Sequence, residues 1–407
     1  MKLIVDELTS IVLDVGHGYT RAGYSGEETP KVVFPSYVGR TDRNFVGDTQ
    51  IHFRRDGMNV MSPFDGENVD WDALESIWEY ALVDRMKADL ANIPVLLIES
   101  SFETKSNREK MTELLFEKFK VPAGYLAKNS VTASFAAGKS TSLVLDCGAS
   151  SISAVPVYDG FTLNTTAVRQ RTGGDFLTEQ TSLFLENELN VKVRFQAEVE
   201  AKKAVGLGEP SDFVSRKLKI TDSFRTFAKF RAVQDFKESV CQVSDMPFNE
   251  KELSARPPKY YEFADGFNSN FGVDRFRVGE ILFNPSLFAM KDPNQMEDSE
   301  LLSVQEIVHN CISKCDVDVR ANLFNNIVLT GGASLLPGFS ERLYSELCRI
   351  SPSSKIRIHS SSVPIERKFG SWIGGSILGS LGSFQQLWLT KDEYEEKGAA
   401  HMITKCQ

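Results

Sequence analysis

Apolar residues along this chain fall into two kinds of run. Short continuous runs bounded by turn residues predict buried strands: Ser10-Ile-Val-Leu-Asp14, Pro94-Val-Leu-Leu-Ile98, Ser142-Leu-Val-Leu-Asp146 and Asn326-Ile-Val-Leu-Thr330. Runs at helical spacing predict amphipathic helices. Trp71, Leu74, Ile77, Trp78, Ala81 and Leu82 share one face within Trp71–Met86, and Met111, Leu114, Leu115 and Phe119 share another. Ser106-Asn-Arg-Glu109 has the form of a capping box before the second of these. Further helices are expected over Leu301–Lys314 and over Pro337–Ile350, which has a proline near its start.

One strand pattern occurs twice. Ser10-Ile-Val-Leu-Asp14-Val-Gly16 returns as Ser142-Leu-Val-Leu-Asp146-Cys-Gly148. Each copy delivers a carboxylate at its tip, beside a glycine that lets backbone turn tightly. Return strands are expected at Thr20–Tyr24 and Ala154–Tyr158. A strand ending in an acid beside backbone N–H groups suits phosphate and a hydrated metal, since glycine allows close approach and magnesium keeps several waters. One such turn is weak evidence; two, with the later Gly331-Gly332 strand end, predict related half-domains facing each other across a nucleotide. Asp14 and Asp146 would hold Mg2+ through water, while Arg21 adds charge to the first loop. Gly173, Gly331 and Gly332 are candidates for backbone pressed against sugar and base, and Lys368 for a flank of the base.

Composition narrows the classes. The 407 residues are 42% hydrophobic and 25% charged, an ordinary globular balance long enough for two or more lobes. A net charge of −9 argues against a charge-driven grip on nucleic acid. The start, Met1–Glu7, reads as strand entry and mature sequence rather than a signal peptide. Six scattered cysteines fit a reducing compartment, and Cys311 and Cys315 read as helix-face thiols, not a zinc site. Trp372–Phe384 is apolar but too short to span a membrane, and its small residues predict a helix packed closely on another backbone. Gly206–Ser211 and Met290–Glu300 read as exposed loops.

These residues together resemble the actin family, within the actin, hexokinase and heat-shock ATPase superfold. The resemblance covers nearly the whole chain. Its most specific segments are Asn107-Arg-Glu-Lys-Met111, Lys314-Cys-Asp-Val-Asp-Val-Arg320, Trp372-Ile-Gly-Gly-Ser-Ile-Leu378, Phe384-Gln-Gln-Leu-Trp388 and Lys405-Cys406. It implies an α/β fold of two related lobes around an ATP cleft, with Mg2+. The outer base lobe would comprise 1–33, 61–137 and 364–407, with 34–60 as a small outer lobe. Residues 138–173 and 301–363 would form the inner base lobe, and 174–300 the inner upper lobe. Asp14, Gly16, His17, Gly18 and Arg21 would form the first phosphate loop, and Asp146 with Gly148 the second. Gly173, Gly331, Gly332 and Lys368 would surround the nucleoside. The remaining adenine contacts do not register within 195–235.

Departures from the family pattern are informative. His17 stands where actins carry a serine, and Asn129 where they carry the glutamine that orients attacking water. Ala149 and Ser153 replace an aspartate and a histidine beside the second loop. No catalytic residue is therefore expected, and ATP should be held with little hydrolysis. Between Val38-Gly39-Arg40 and Val46-Gly47-Asp48 only Thr41–Phe45 remain, where actins carry the longer loop that reaches the next filament subunit. Self-polymerisation is not expected, although a filament-forming ATPase stays open as the alternative.

Val233–Asp245 and Tyr261–Asn268 resemble the nuclear branch called actin-related protein 4. That resemblance implies a nuclear structural subunit of chromatin-remodelling or histone acetyltransferase complexes. Such a subunit pairs with actin and clasps a helix of the motor or scaffold, with contact to histones left open and no membrane role. Phe135, Gly138 and Ser140 would line one side of the groove for that helix, and Ile373 and Leu378 the other.

Overall fold

A computed structural model describes residues 9–66, 68–289 and 301–406. The expected strand entry at Met1–Glu7 and the expected loop at Met290–Glu300 lie outside them. The duplicated strand motif becomes a duplicated sheet. In the first, β1 (Ile11–Val15) forms a hairpin with β2 (Tyr19–Tyr24), which pairs with β3 (Val32–Pro35). On its other edge β1 runs parallel to β4 (Val95–Glu99), which runs parallel to β5 (Ala123–Lys128).

The second sheet repeats this plan. A hairpin of β6 (Ser142–Cys147) and β7 (Ile152–Tyr158) carries the antiparallel strand Val168–Gln170 on one side. On the other side β6 is parallel to β8 (Ile327–Thr330), which is parallel to Ile358–His359. Strands at the centre of each sheet are buried on both faces, which is why they read as unbroken apolar runs.

Two helices join the halves. α1 (Asn129–Ala136) leaves β5 and packs on α2 (Gly370–Ser380), as the small residues of the latter predict. A Cβ added to Gly374 would lie 1.7 Å from the Thr132 carbonyl oxygen. One added to Gly375 would meet Ile98 and Val12 at 2.9 and 3.0 Å. Only glycine permits this approach. Trp372, fully buried, donates from Nε1 to the Val12 carbonyl at 3.1 Å and fixes α2 to β1.

The small outer segment forms a three-stranded sheet of Val38–Arg40, Asn44–Val46 and Asn59–Met61. Its first hairpin closes through Thr41 N–H to Arg43 O at 3.0 Å, so no extended loop remains. Ile51, Met58 and Val60 pack with Phe224 and Phe227 of the long helix Asp222–Val240. Thr221 Oγ1 also donates to the Met58 carbonyl at 2.6 Å, so the outer and inner upper lobes touch over the cleft.

Several boundaries move. The expected capping box at Ser106 gives way to a cap two residues earlier: Thr104 accepts from Asn107 N–H and the helix spans Lys105–Glu113. Capping boxes form instead at Ser303 with Glu306, at the start of Val304–Lys314, and at Thr390 with Glu393, at the start of Lys391–Lys397. The helix expected from Pro337 begins at Phe339, because Gly338 adopts φ 85°. Cys311 and Cys315 are buried, and their thiols donate to the Ala154 and Cys311 carbonyls. Among the described residues no helix is long and apolar enough to cross a membrane.

Candidate nucleotide-binding cleft

The two hairpin turns close in the same way. Gly16 N–H donates to Tyr19 O at 3.1 Å, and Gly148 N–H to Ser151 O at 3.0 Å. The loops meet face to face: a Cβ on Gly18 would lie 3.0 Å from the Ala149 Cβ. Asp14 and Asp146 occupy matching positions, opposite Arg21 and Ser153 in their hairpins. Both line one cavity of about 470 Å³ between the sheets, with Gly16, His17, Gly18, Arg21, Gly148, Gly331, Gly332 and Lys368.

Charge in this cleft is arranged around the acid pair. Arg21 Nη1 donates to Asp14 Oδ2 at 2.7 Å, so its charge serves the carboxylate first. Burial raises the Asp146 carboxyl to about 6, and the Asp14 charge adds to this; Arg21 and a hydrogen bond from Asn129 oppose it. Two facing acids with one guanidinium leave an excess of negative charge that a hydrated divalent cation would relieve. The residues present therefore fit Mg2+, which Asp14 and Asp146 would hold through water.

Gly331 has φ 92°, and a Cβ there would strike Cys147 O at 2.3 Å and Asp146 Oδ1 at 2.5 Å. Gly332 has open space beside it. Lys368 Nζ lies 4.5 Å from the centre of the Tyr19 ring, and Tyr19 Oη accepts from Arg231 at 2.9 Å. Gly173 does not reach the cavity. It is buried behind the second loop, where a Cβ would lie 2.3 Å from Ala149 O, and Gly174 lines the cleft instead.

The side left open by the sequence is filled from the helix Asp222–Val240 and from the turn after Gly332. Phe230, Arg231, Gln234, Lys237 and Glu238 line the cavity, with Ala333, Leu335, Leu336 and Pro337. Their spacing puts 230, 234, 237 and 238 on one helix face, but Phe230 lies among them and apolar residues occupy the other faces, so the sequence pattern does not single this face out. Lys237 Nζ donates to Gly174 O at 2.7 Å and Thr178 Oγ1 at 2.8 Å, and burial holds its pKa below the usual range.

The positions expected to activate water have other tasks. Asn129 Nδ2 donates to Asp146 Oδ2 at 3.1 Å, while its Oδ1 accepts from Ser101 N and Oγ at 3.0 and 2.8 Å. Both lone pairs of its carbonyl oxygen are thereby used. Ala149 has no polar side-chain atom. His17 stacks tilted on Phe64 at 4.5 Å, and burial with the charges of Arg169 and Arg171 pushes its pKa down to about 4. It is therefore neutral near pH 7.

These paired loops, sheets and cleft have a known counterpart: the actin family model matches residues 5–407. The chain belongs to the actin family. It is 39% identical to actin-related protein 4 of Arabidopsis thaliana, over 98% of this chain and 99% of that protein. It is likewise 39% identical to actin-related protein 4 of Yarrowia lipolytica, over 98% and 96%. A Schizosaccharomyces pombe protein named as the SWI/SNF and RSC complexes subunit arp42 is 36% identical over 97% of each chain. The duplicated sheets are thus the two lobes of an actin-like α/β fold.

The candidate groove is corrected in one residue. Leu378 is 5% exposed and belongs to the core with Trp372 and Trp388, so it presents no open surface. A step of one residue rotates the helix by about 100°, and Ile377, 40% exposed, is the outward side chain. Phe135 and Ile373 are half-buried against the same core, and Gly138 and Ser140 are exposed. Leu381, directly after that helix, and Phe161, on the strand Phe161–Thr162, are also exposed apolar residues.

Proposed function

We propose that this protein is an ATP-binding structural subunit of nuclear chromatin-remodelling or histone acetyltransferase complexes, one that holds ATP and Mg2+ with little or no hydrolysis. The observation that carries the reading is the state of the second phosphate loop. The acid pair suited to a hydrated cation is kept, but the Asn129 carbonyl oxygen already accepts from Ser101 N and Oγ, so it has no lone pair left to accept from an attacking water. A neutral imidazole of pKa about 4 is a poor general base at pH 7, so His17 does not replace the missing group. The magnesium ion, when bound, would neutralise phosphate charge; Asp14 and Asp146 would orient its water shell, and the ion pair with Arg21 holds the Asp14 carboxylate in place.

The relatives support the setting. One of them is a subunit of SWI/SNF and RSC complexes by name, and actin-related protein 4 is the name shared by others. The short turn at Thr41–Arg43 supports a non-filamentous protein, because a head-to-tail polymer needs the same protruding contact at every subunit. The partners proposed are actin and one helix of a motor or scaffold subunit, received by the apolar residues Phe135, Ile373 and Ile377.

Ile377→Glu tests the groove. The side chain is outward-facing, so folding should be kept within about 0.5 kcal/mol, whereas a buried charge at an apolar contact should weaken partner binding by roughly 10-fold or more. Co-purification of the tagged protein from nuclei, compared by quantitative mass spectrometry, reads the effect. Undiminished recovery of the motor or scaffold subunit would remove the groove from the account.

A further inference from the structure

Net charge averages over a whole surface, and the cations of this chain are unevenly spread. From Lys192 to Arg225 there are eight Lys and Arg against five Asp and Glu, a local balance of +3 in a chain of −9. Val191, Val193 and Phe195 are buried, with exposed Lys192 and half-buried Arg194 between them. The hairpin of Val199–Lys203 and Asp212–Ser215 follows, and Arg216-Lys-Leu-Lys219 then leads towards the helix Asp222–Val240.

The fold brings these pieces to one place. Arg216 N–H donates to Glu198 O at 2.8 Å. The Glu198 carboxylate is shared by Arg194 and Arg225, at 3.1 and 3.3 Å, which leaves one positive charge in excess. Arg194 also lies 5.6 Å from the centre of the Phe213 ring on the hairpin. Lys203 is paired with Asp212 and Lys202 with Glu262. Lys192, Arg216, Lys217 and Lys219 are exposed, and among the described residues no ion pair joins them to a carboxylate.

The main chain beneath these cations is pinned. Ile220 packs against the small core of Ile51, Met58, Val60, Phe224 and Phe227, and Leu218 is half-buried. Thr221 adds its hydrogen bond to Met58 O. Lys217 and Lys219 alternate with these anchors and stand outward as charges on long side chains. An acidic peptide is held by main-chain pairing or side-chain pockets as well as by charge. A nucleic-acid backbone, with its regular phosphates, needs only cations placed along it.

We infer that Lys192, Arg216, Lys217 and Lys219 form a contact for the phosphate backbone of duplex DNA, one that does not read sequence. The contact is separate from the cleft and does not depend on the ATP-binding reading. The acidic balance of the remaining surface turns this face, and no other, towards the duplex.

The test is fluorescence anisotropy of the full chain with a labelled duplex of about 30 base pairs, between about 50 and 200 mM salt. Four phosphate contacts predict a slope of log affinity against log salt of about −3 to −4. The triple variant Arg216→Gln, Lys217→Gln, Lys219→Gln should reduce that slope to about −1 and weaken binding at least roughly 10-fold at the lower salt. All three side chains are exposed, so the variant should melt with the native protein and keep its bound nucleotide. The control, Lys87→Gln with Lys120→Gln and Lys397→Gln, removes the same charge from exposed positions elsewhere and should bind DNA as the native protein does. Equal weakening by both triples would show an effect of net charge alone and overturn the contact. Absence of native binding at the lower salt would also overturn it. So would loss of binding to poly-glutamate, with DNA binding kept, in the first triple, because the patch would then serve an acidic protein. None of these results touches the ATP-binding reading.

Discussion

Gly374→Ala is expected to destabilise the protein by more than about 4 kcal/mol, at the far end of single-substitution effects. The added methyl would stand 1.7 Å from Thr132 O and 2.4 Å from Thr132 C, both backbone atoms that no rotamer change can move. Relief requires α1 and α2 to separate, and with them the join between the two sheets. Overpacking in a closely fitted core commonly costs ~1–3 kcal/mol, and more where backbone must shift. In an ordinary helix interior the same change would stabilise by roughly 1 kcal/mol, so the sign distinguishes packing from propensity. Gly382→Ala is the matching control, because nothing lies within 4 Å of its added Cβ. Urea midpoints of the two variants and the native chain read the difference; a stable Gly374→Ala protein would show that the helix contact is looser than described.

Asp146→Asn should change stability and ligand binding in opposite directions. The Asp146 carboxyl is raised from 3.8 to about 6 by burial and by Asp14. An acid raised in the folded state imposes no penalty below its unfolded value. The penalty grows as pH climbs from about 4 towards 6, and it is complete above that. Converted by linkage, the shift corresponds to about 3 kcal/mol of lost stability at pH 7 in the protein free of ligand. The isosteric amide removes the penalty, so ligand-free Asp146→Asn should unfold later than native protein at pH 7 and no later at pH 3.5. With magnesium and ATP the order should reverse, because the variant gives the hydrated ion a neutral partner. Binding should weaken roughly 10- to 100-fold, the range for loss of a charged hydrogen-bond acceptor. Melting temperatures at both pH values, with and without magnesium–ATP, check the reversal. A variant stabilised by magnesium–ATP as strongly as native protein would exclude Asp146 from the metal shell.

The parts of this fold that were legible in the sequence are those encoded locally. The repeated strand, acid and glycine predicted the paired hairpins, and the structure extends that repeat to matching sheets with the same strand directions. The small-residue helix was readable because glycines in an apolar run have few other uses. Errors of one residue arose where two adjacent positions were chemically equivalent. Gly173 and Gly174 are alike in sequence, but the chain direction sends one behind the second loop and the other into the cleft. Ile377 and Leu378 are alike in hydrophobicity, and only helix phase separates surface from core. The adenine side was not legible because the helix Asp222–Val240 is packed on more than one face. Phe224 and Phe227 serve the small outer lobe, Val233, Phe236 and Val240 the inner core, and Lys237 the cleft, so no single stripe stands out.

The function follows from what the cleft retains and what it lacks. In the proposed function, Asp14, Asp146, Arg21 and the two glycine loops would grip phosphate and a hydrated ion. Asn129, Ala149 and Ser153 stand where the parts that activate water would be. On the proposed reading, a bound ATP would tie the two sheets together as a structural element and give the assembly a fixed arrangement of lobes.

The most direct test is the identity of the nucleotide that travels with the protein. Native protein purified gently from cells, then denatured and resolved by ion-exchange chromatography, should release close to one ATP per chain with little ADP. ADP as the main product, or no nucleotide at all, would contradict the account.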